Sequence, residues 1–419
     1  MIKNFYVLFI LVFFCSKIPA QQKTENEPRL KIGGYGEITY QRYNYSADFN
    51  RYTYPENFTG NEKRAQTDVP HLVFSLEYLF DNNWKLGSEI EFEHGGTASE
   101  VEIEAEEFGE YEQEVEKGGE IILEQFWLEK SFSSRFNIRA GHIIVPVGIT
   151  NYQHLPTEYF TVLRPEGEST IIPQTWHDNG ISIYGRLGMW RYEAQIINGL
   201  DVDAFGSANW VNGGSVSPYE YKLATNMAGV VRIDNYSVNG LRWALSGYAG
   251  NSAQNSLKAD RYAGLNGTVL IGSVEAEYKT HNFLARTNFI YGNLSESAEI
   301  SKINKNLPNA APSPHTDVAQ NAMSVLVEAG YDIFSLVPAQ NDKLFLFLHY
   351  TYYNSMQNTV EGMLADKRYK RNLYTAGINY YPLPEIGIKA EYNMRVFETP
   401  YNQENTFSLG VIFSGMFNH

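Results

Sequence analysis

The sequence predicts an all-β fold, a sixteen-stranded antiparallel transmembrane β-barrel with an inward-folded third extracellular loop. Strand-like segments recur from Lys31 to Phe413, and the connectors between them alternate between short and long. Each segment has one apolar and one ionised face. Short turns at one rim, long loops at the other and two unlike faces are typical of an outer-membrane barrel whose lumen holds water.

The first clear hairpin shows this pattern. The segment HLVFSLEYLF from His71 to Phe80 alternates apolar residues with polar ones, and the pattern resumes at Trp84 after only three turn residues. Successive side chains of a strand point to opposite faces. Apolar residues therefore occupy one face (Leu72, Phe74, Leu76, Tyr78, Leu86, Ile90, Phe92), and ionised ones occupy the other face of the second strand (Lys85, Glu89, Glu91, Glu93).

The same reading extended along the chain gives sixteen strands. An even number closes an antiparallel barrel, and sixteen strands leave a lumen too wide for wall side chains to fill. The predicted strands lie near 31–43, 70–80, 84–94, 120–132, 135–145, 178–187, 190–200, 224–234, 240–250, 267–279, 283–293, 321–334, 343–353, 371–382, 386–397 and 405–414.

The first twenty residues read as a secretory signal. Lys3 precedes an apolar run from Phe5 to Cys15, and Ala20 offers a small residue at the cleavage point. We expect residues 1–20 to be a signal peptide and residues 21–419 to be a single barrel domain. Cys15 is the only cysteine, so the mature chain would have neither disulfides nor cysteine-ligated metals.

Composition supports a membrane protein that crosses with strands. The chain is 14% aromatic, with Tyr 30, Phe 24 and Trp 6. Its mean hydropathy is only −0.35, and after the leader no apolar run approaches the roughly 18 residues that a membrane helix needs. The net charge is −15, and loss of Lys3 and Lys17 with the leader would make it more negative. Such an acidic chain disfavours nucleic acid as a partner.

The third long connector, Pro146 to Trp176, is the most unusual segment. Its apolar residues, among them Ile171, Ile172 and Phe160, need a surface to pack against, which a loop folded onto the inner wall would have. The sequence of this connector resembles that of the phosphate-selective porin O and P family, as does the opening Gly33-Gly34-Tyr35-Gly36 strand. The resemblance covers about residues 120–187 and rests on Gly141, Pro146-Val147-Gly148, His154-x-Pro156-Thr157, Arg164-Pro165, Ile171-Ile172-Pro173, Trp176 and Gly180-Ile181.

This resemblance implies an outer-membrane porin of a Gram-negative bacterium. It implies sixteen strands, a homotrimer, and a third loop that narrows the pore. Phosphate selection in that family relies on arginines and lysines at the constriction. The matching loop here has Arg164 among acidic residues (Glu158, Glu166, Glu168 and nearby Asp178), which argues against phosphate specificity.

Period-2 alternation places further charges on the lumenal face. Arg or Lys facing lipid at the bilayer midplane costs about 2 to 4 kcal/mol, so these side chains should point inward. A pore lined by both signs would screen solutes by size and charge. The predicted pore and constriction residues are Arg164, Glu166, Glu168 and His154 on the loop, Arg135 and Arg139 facing them, and Arg191, Lys389 and Arg395 on the wall.

The predicted function is a water-filled channel for passive diffusion of small hydrophilic solutes or ions, with anions such as phosphate left open. Outer-membrane lipid and lipopolysaccharide would surround it. Tyrosine clusters also allow a carbohydrate-preferring channel, and a lumen bridged by ion pairs and blocked by the loop would favour a closed structural or adhesive barrel. No cofactor is indicated. An enzyme is not predicted, because the chain contains neither G-x-S-x-G nor H-E-x-x-H.

An acidic tract runs from Glu100 to Glu120 in the second long connector. It lacks the fixed oxygen spacing and turn glycine of a calcium loop. A solvated, self-repelling surface is the simpler interpretation. The weak metal candidates Glu102, Glu104 and Glu106 would bind calcium only in the millimolar range.

Overall fold

The computed structural model describes residues 28–59, 62–95, 102–104, 112–114, 119–216, 221–256, 258–306, 315–337 and 341–416. The predicted signal peptide, residues 1–20, and Glu106 lie outside the described residues. Glu102 and Glu104 belong to a short two-stranded ladder apart from the barrel, described here by its backbone only.

One large antiparallel sheet closes on itself to form the barrel. Its strands are β1 (Leu30–Tyr43), β2 (Arg64–Asp68), β3 (His71–Leu79), β4 (Trp84–Glu93), β7 (Ile121–Ser133), β8 (Phe136–Ile144), β9 (His177–Leu187), β10 (Trp190–Asn198), β11 (Met227–Val238), β12 (Leu241–Asn251), β13 (Thr268–Lys279), β14 (Phe283–Leu294), β15 (Asn321–Asp332), β16 (Lys343–Asn358), β17 (Lys370–Leu383), β18 (Ile386–Phe397) and β19 (Glu404–Met416). The separate ladder pairs β5 (Glu102–Glu104) with β6 (Glu112–Glu114).

Helical segments are short and lie in connectors. They are the α-helices α1 (Asn50–Thr53), α2 (Ile149–Tyr152), α3 (Glu168–Ile171) and α4 (Ser297–Lys305), and 3₁₀ turns at Pro55–Phe58, Asp81–Asn83, Val202–Ala204, Asn212–Ser215, Ala253–Asn255, Ala259–Tyr262, Ile333–Leu336 and Lys367–Tyr369. In the described part of the chain, no helix is long and apolar enough to cross a membrane.

The barrel has sixteen strands, as predicted. β2 and β3 both pair with β1 and are two halves of one strand, interrupted at Val69-Pro70, where proline has no amide hydrogen for the ladder. Closure comes from β1 and β19, which pair from Gly33 opposite Met416 to Tyr43 opposite Thr406. Every other strand pairs antiparallel with its sequence neighbour, so no edge remains open.

Predicted strand boundaries agree with the structure within a few residues. The largest difference is β2 (Arg64–Asp68), which lies in a stretch predicted as a long connector. In addition, β16 continues to Asn358 instead of ending near 353, and β11 begins at Met227 instead of near 224. All three differences lie at the rim with the long loops, where the membrane no longer imposes alternation on the sequence.

Alternation along the strands gives the barrel an apolar exterior. Ile196 is 62% exposed and Leu348 is 70% exposed, whereas the adjacent Gln195 and His349 are buried on the inner side. A continuous apolar belt of this size has to face hydrocarbon, and a closed barrel leaves no unpaired backbone in the bilayer. The protein is therefore an outer-membrane β-barrel.

The long loops form a small hydrophobic core of their own at one side of the outer rim. Phe205 and Trp210 from one loop pack in the same buried cluster as Tyr262 and Ile300 from the next two. The Trp210 indole N–H donates to the Ala319 carbonyl at 3.0 Å. These loops are thus packed against one another over part of the barrel mouth.

Candidate functional site

The third loop, Pro146–Trp176, lies inside the barrel, as predicted. It leaves β8 with Gly148 in a left-handed conformation at φ 86°, a position where a Cβ atom would overlap the Glu168 carboxylate. The Gly148 amide then donates to the Ser246 hydroxyl of β12 at 3.3 Å. Farther along, the Val162 amide donates to Glu391 of β18 at 2.8 Å. The loop therefore crosses the lumen and touches strands far from its origin.

Apolar contacts hold the middle of the loop against the wall. The Phe160 ring stacks on Phe347 of β16, with ring centroids 5.3 Å apart and planes 9° apart. A Cβ atom at Gly330 would lie 2.4 Å from the Phe160 ring, so only glycine leaves room for it there. The predicted packing surface for the loop is thus the inner wall at β15 and β16.

Lys389 is an anchor for this loop. Its ammonium group is fully buried and donates to the carbonyls of Pro156, Tyr159 and Thr161 at 2.6, 2.7 and 2.8 Å. Three acceptors satisfy all three donors of the side chain. Lys389 was predicted as a lumenal charge, and the structure turns it toward loop backbone instead of open water.

Glu166 and Arg395 meet, as two members of the predicted set. The Arg395 guanidinium bonds to Glu166 and also donates to Glu404 of β19 at 2.7 Å. The Tyr353 hydroxyl donates to Glu166 at 2.7 Å. Burial alone would raise the pKa of the Glu166 carboxyl, but Arg395 and Arg371 hold it below its usual range. This end of the loop is therefore fixed by a charged network.

Glu168 is buried within the loop and serves its local fold. Its carboxylate accepts from the amides of Thr150 and Asn151 at 3.1 and 2.7 Å, and from the Asn288 side chain at 2.5 Å. Burial, together with the neighbouring charge of Glu275, raises the pKa of the Glu168 carboxyl to about 7. Glu168 is closed off from the lumen.

His154 and Arg164 lie together beside Tyr35 of β1. The His154 and Tyr35 rings meet edge to face at 5.7 Å, and the Arg164 guanidinium lies 3.4 Å from the Tyr35 hydroxyl. Burial, together with the neighbouring charge of Arg164, lowers the pKa of the His154 imidazole to about 3. His154 is therefore a neutral side chain at physiological pH, and Arg164 supplies the positive charge at this point.

The three other arginines of the predicted set have different surroundings. Arg139 pairs with Glu129 at 2.8 Å and covers the Trp127 ring at 4.1 Å. Arg191 bridges Glu193 and Asp234 at 2.5 and 3.1 Å. Arg135 lies exposed in the turn between β7 and β8, at the short-turn rim, so the structure does not bring it to the third loop.

Two buried ion-pair networks on the wall were not among the predicted residues. Arg232 contacts Asp234 at 2.9 Å and also Glu275, with all three side chains fully buried. Arg286 pairs with Glu328 at 2.5 Å, and the same carboxylate contacts His349 at 3.0 Å. The alternation of apolar and polar residues along β11 and β14 is consistent with these charges facing inward. Their burial depends on the third loop above them, which no local pattern reports.

The wall formed by β1, β3, β4 and β7 carries carboxylates with few cationic partners. We call Glu37, Glu89, Glu91, Glu93 and Glu124 the acidic wall. His71 contacts Glu91 at 2.5 Å, and the Gln125 amide donates to Glu89. These carboxylates face the end of the loop that holds Arg164. A positive field from the loop and a negative field from the wall therefore meet in this part of the lumen.

Buried polar side chains ring the lumen. They include inward-facing residues of strands all around the barrel, among them Thr39, Glu124, Ser182, Asp234, Ser273, Glu328, Thr351, Asn379 and Ser408. A cavity of about 240 Å³ opens at the long-loop rim beside Arg51, Tyr52 and Glu404. Another of about 230 Å³ lies at the short-turn rim beside Phe160, Phe345 and Tyr381. The third loop thus lies inside the lumen, and a small cavity opens at each rim.

No protein-family model matches the chain. An uncharacterized protein of Aquifex aeolicus (strain VF5) is 27% identical over 373 residues, which cover 87% of this chain and 75% of that protein. An anion-selective porin from Comamonas acidovorans superposes with a TM-score of 0.54 at 10% identity, over 92% of this chain and 99% of that one. The chain has the porin fold.

Further solved structures agree on that fold. The outer membrane channel DcaP of Acinetobacter baumannii superposes with a TM-score of 0.52 at 13% identity, over 92% of this chain and 97% of that one. OprB of Pseudomonas putida superposes with a TM-score of 0.52 at 10% identity, over 92% and 94%. At these identities the likeness concerns architecture alone. Membership of the phosphate-selective porin O and P family stays a prediction.

Proposed function

We propose that the protein is an outer-membrane channel through which small hydrophilic solutes or ions diffuse passively. The observation that carries this proposal is a closed sixteen-stranded barrel whose lumen holds ionised side chains and a loop that narrows it. Wall side chains cannot fill a barrel of this width, so the remaining lumen holds water.

Single-channel recording in planar bilayers tests the proposal. The purified protein should give discrete conductance steps, whereas detergent alone and heat-unfolded protein should give none. Variants that release the third loop should raise the conductance of each step, because the loop forms the constriction. Folded, inserted protein that gives no steps in any variant would refute the channel proposal.

A closed structural barrel is the second candidate. The buried polar ring and the buried networks of Arg232 and Arg286 favour it, because these charges pair with nearby strands and contact the third loop at Pro146 and Gln153. This alternative predicts no conductance from the wild type. It also predicts conductance once the loop is released, so the two candidates differ in the wild-type recording.

A carbohydrate-preferring channel is supported by one feature, the cavity at the long-loop rim. Tyr45, Tyr52 and Phe58 line it together with amide side chains and Arg51. Aromatic rings and amides are the groups that commonly hold sugars. However, the Arg51 guanidinium already covers the Tyr52 ring at 4.2 Å. Closure of the channel by added oligosaccharide, seen as a fall in conductance, would support this preference.

Further proposals concern the sign of the ion selectivity, the oligomeric state and the cleavage of the leader peptide. We propose that the acidic wall favours cations, and that phosphate is not preferred, since Arg164 is the loop's single arginine. We propose a homotrimer surrounded by outer-membrane lipid and lipopolysaccharide. An outer membrane protein of Vibrio cholerae with a TM-score of 0.50 is described in a trimer form. Cross-linking should give a three-chain species, and N-terminal sequencing should start at Gln21.

A further inference from the structure

One point of the acidic wall has the composition of a metal site. The imidazole Nδ1 of His71 lies 2.5 Å from a Glu91 oxygen and 3.9 Å from a Glu93 oxygen. Its Nε2 lies 3.8 Å from a Glu37 oxygen. The hairpin register explains the meeting, because His71 is directly opposite Glu93, and Glu91 shares the same strand face two residues before.

The distances suit a first-row metal ion. Ligand atoms of His71, Glu91 and Glu93 all lie within 4.8 Å of one another. Ligands about 2.1 Å from a metal are separated by roughly 3 to 4 Å, so shifts of less than about 1 Å would complete the geometry. One imidazole with carboxylates suits manganese, iron or zinc better than calcium, which takes oxygen ligands.

Two neighbouring carboxylates support a cation at this point. The fully buried Glu124 accepts from the Tyr35 hydroxyl at 3.1 Å through one oxygen, whereas its other oxygen, on the side of Glu91, has no hydrogen-bond partner. Glu37 is 3% exposed and accepts from the Tyr159 hydroxyl at 3.4 Å through one oxygen, whereas its other oxygen, 3.8 Å from the His71 Nε2, has no hydrogen-bond partner. An unpaired buried carboxylate is costly, so protein interiors normally supply a partner.

Among the described residues, no arginine or lysine pairs with these carboxylate oxygens. Arg164 is near, but among the described residues no carboxylate oxygen lies within 4 Å of its guanidinium, which faces the Tyr35 hydroxyl. Lys389 is committed to three loop carbonyls. His71 contributes at most one positive charge among four carboxylates. The cluster therefore has a surplus of negative charge that a divalent cation would balance.

We infer that His71, Glu91 and Glu93 bind a divalent first-row transition-metal ion on the lumenal wall, with Glu37 and Glu124 as the carboxylates around it. The alternative is a metal-free cluster in which the His71 imidazole bridges Glu91 and Glu37 directly. Both arrangements use the same atoms, so only a binding measurement separates them.

Calorimetric titration of Mn²⁺ into the full-length folded protein in detergent, after removal of metals with a chelator, tests the inference. One Mn²⁺ should bind per chain. Loss of a ligand should weaken binding at least about tenfold, in both Glu93→Gln and His71→Gln. Glu93 is 29% exposed, so its variant should fold even if the His71 variant does not. His94→Gln is the matched control, because His94 pairs with Asp68 at the exposed rim.

Two outcomes would overturn the inference. One is the absence of Mn²⁺ binding to folded protein. The other is binding that Glu93→Gln leaves unchanged and that Glu102→Gln, Glu104→Gln and Glu106→Gln together abolish, which would place the metal on the acidic tract. In Mn²⁺ electron spin resonance, loss of nitrogen coupling in His71→Gln would confirm the imidazole ligand. Binding is measured without transport, so this test is independent of the channel proposal.

Discussion

The two sides of the lumen use charge in opposite ways. On the side of β11 to β18, each buried charge that holds the third loop has a partner: Arg286 has Glu328, and Lys389 has three carbonyls. On the acidic wall, Glu37 and Glu124 meet tyrosine hydroxyls and His71, and among the described residues no arginine or lysine pairs with either of them. The first arrangement fastens the loop, and the second leaves negative charge available to whatever enters the lumen.

This difference separates residues that hold the structure from residues that act on a solute. Removing one member of a satisfied buried pair leaves the other uncompensated, which is strongly destabilising. Neutralising one member of a crowd of like charges removes repulsion instead. Substitutions of similar size should therefore have opposite consequences on the two sides.

The largest effect is expected from Arg286→Met. Glu328 would remain buried without its guanidinium, at a cost of about 3 to 5 kcal/mol in the free energy of unfolding. The matched substitution Glu124→Gln on the acidic wall should change that free energy by less than about 1 kcal/mol or raise it. Urea unfolding of protein reconstituted in lipid, with chelator present, measures both. Equal losses in the two variants would show that the two sides do not differ in this respect.

Lys389→Met should release the third loop. Hydrogen bonds from a charged donor contribute about 1.5 to 3 kcal/mol each, so losing three of them should weaken loop anchoring by about 3 kcal/mol or more. The expected result is a larger single-channel conductance with the barrel still folded. Arg135→Met, in the exposed turn at the short-turn rim, is the control and should leave the conductance unchanged. An unchanged conductance in Lys389→Met would remove this lysine from the set of loop anchors.

The contrast between Lys389 and Arg135 also shows how far the sequence could lead. Period-2 alternation placed both cations off the lipid face, and it recovered all sixteen strands because hydrocarbon constrains one face of each strand. It carries no information about height along the barrel axis. Arg135 lies in a turn and Lys389 lies within a strand. Only the assembled barrel shows that the third loop passes over Lys389 and not over Arg135.

The acidic wall illustrates the same limit. Glu89, Glu91 and Glu93 could be assigned to one inward face from the hairpin alone. The contact of His71 with these carboxylates, and the position of Glu124 beside them, cannot be read from the hairpin. Both depend on the strand register between β3, β4 and β7. A register bulge between Glu89 and Ile90 shifts that pairing by one residue. Such an irregularity has no signal in the alternation pattern.

Glu168 gives the fastened side a pH dependence. Burial raises the pKa of its carboxyl to about 7, above the usual value for glutamate. Between the two values the folded protein keeps a proton that the unfolded chain has lost, so stability should fall as pH rises from about 4.5 to about 7, by no more than about 3 kcal/mol.

Unfolding curves at pH 5 and pH 8 measure this dependence. Glu168→Gln should flatten the difference, because the amide carries no titrating proton. Glu361→Gln, at an exposed carboxyl of another outer loop, should leave the wild-type difference in place. A Glu168→Gln protein with the full wild-type pH dependence would assign it to other groups.

The smallest effect should come from the acidic wall, and it should appear in transport and not in stability. Combined Glu89→Gln and Glu91→Gln removes two negative charges from the face opposite Arg164. At a separation of about 8 Å in a partly hydrated lumen, each charge acts on a passing ion by roughly 1 kcal/mol, about a fivefold change in the permeability ratio. The reversal potential in a KCl gradient should move toward anions. The effect should shrink at high salt, since mobile ions screen the wall.

The double variant Glu361→Gln and Glu299→Gln, outside the lumen, is the control for net charge. A reversal potential that moves equally in the control would mean that the outer loops, and not the acidic wall, set the sign of selectivity.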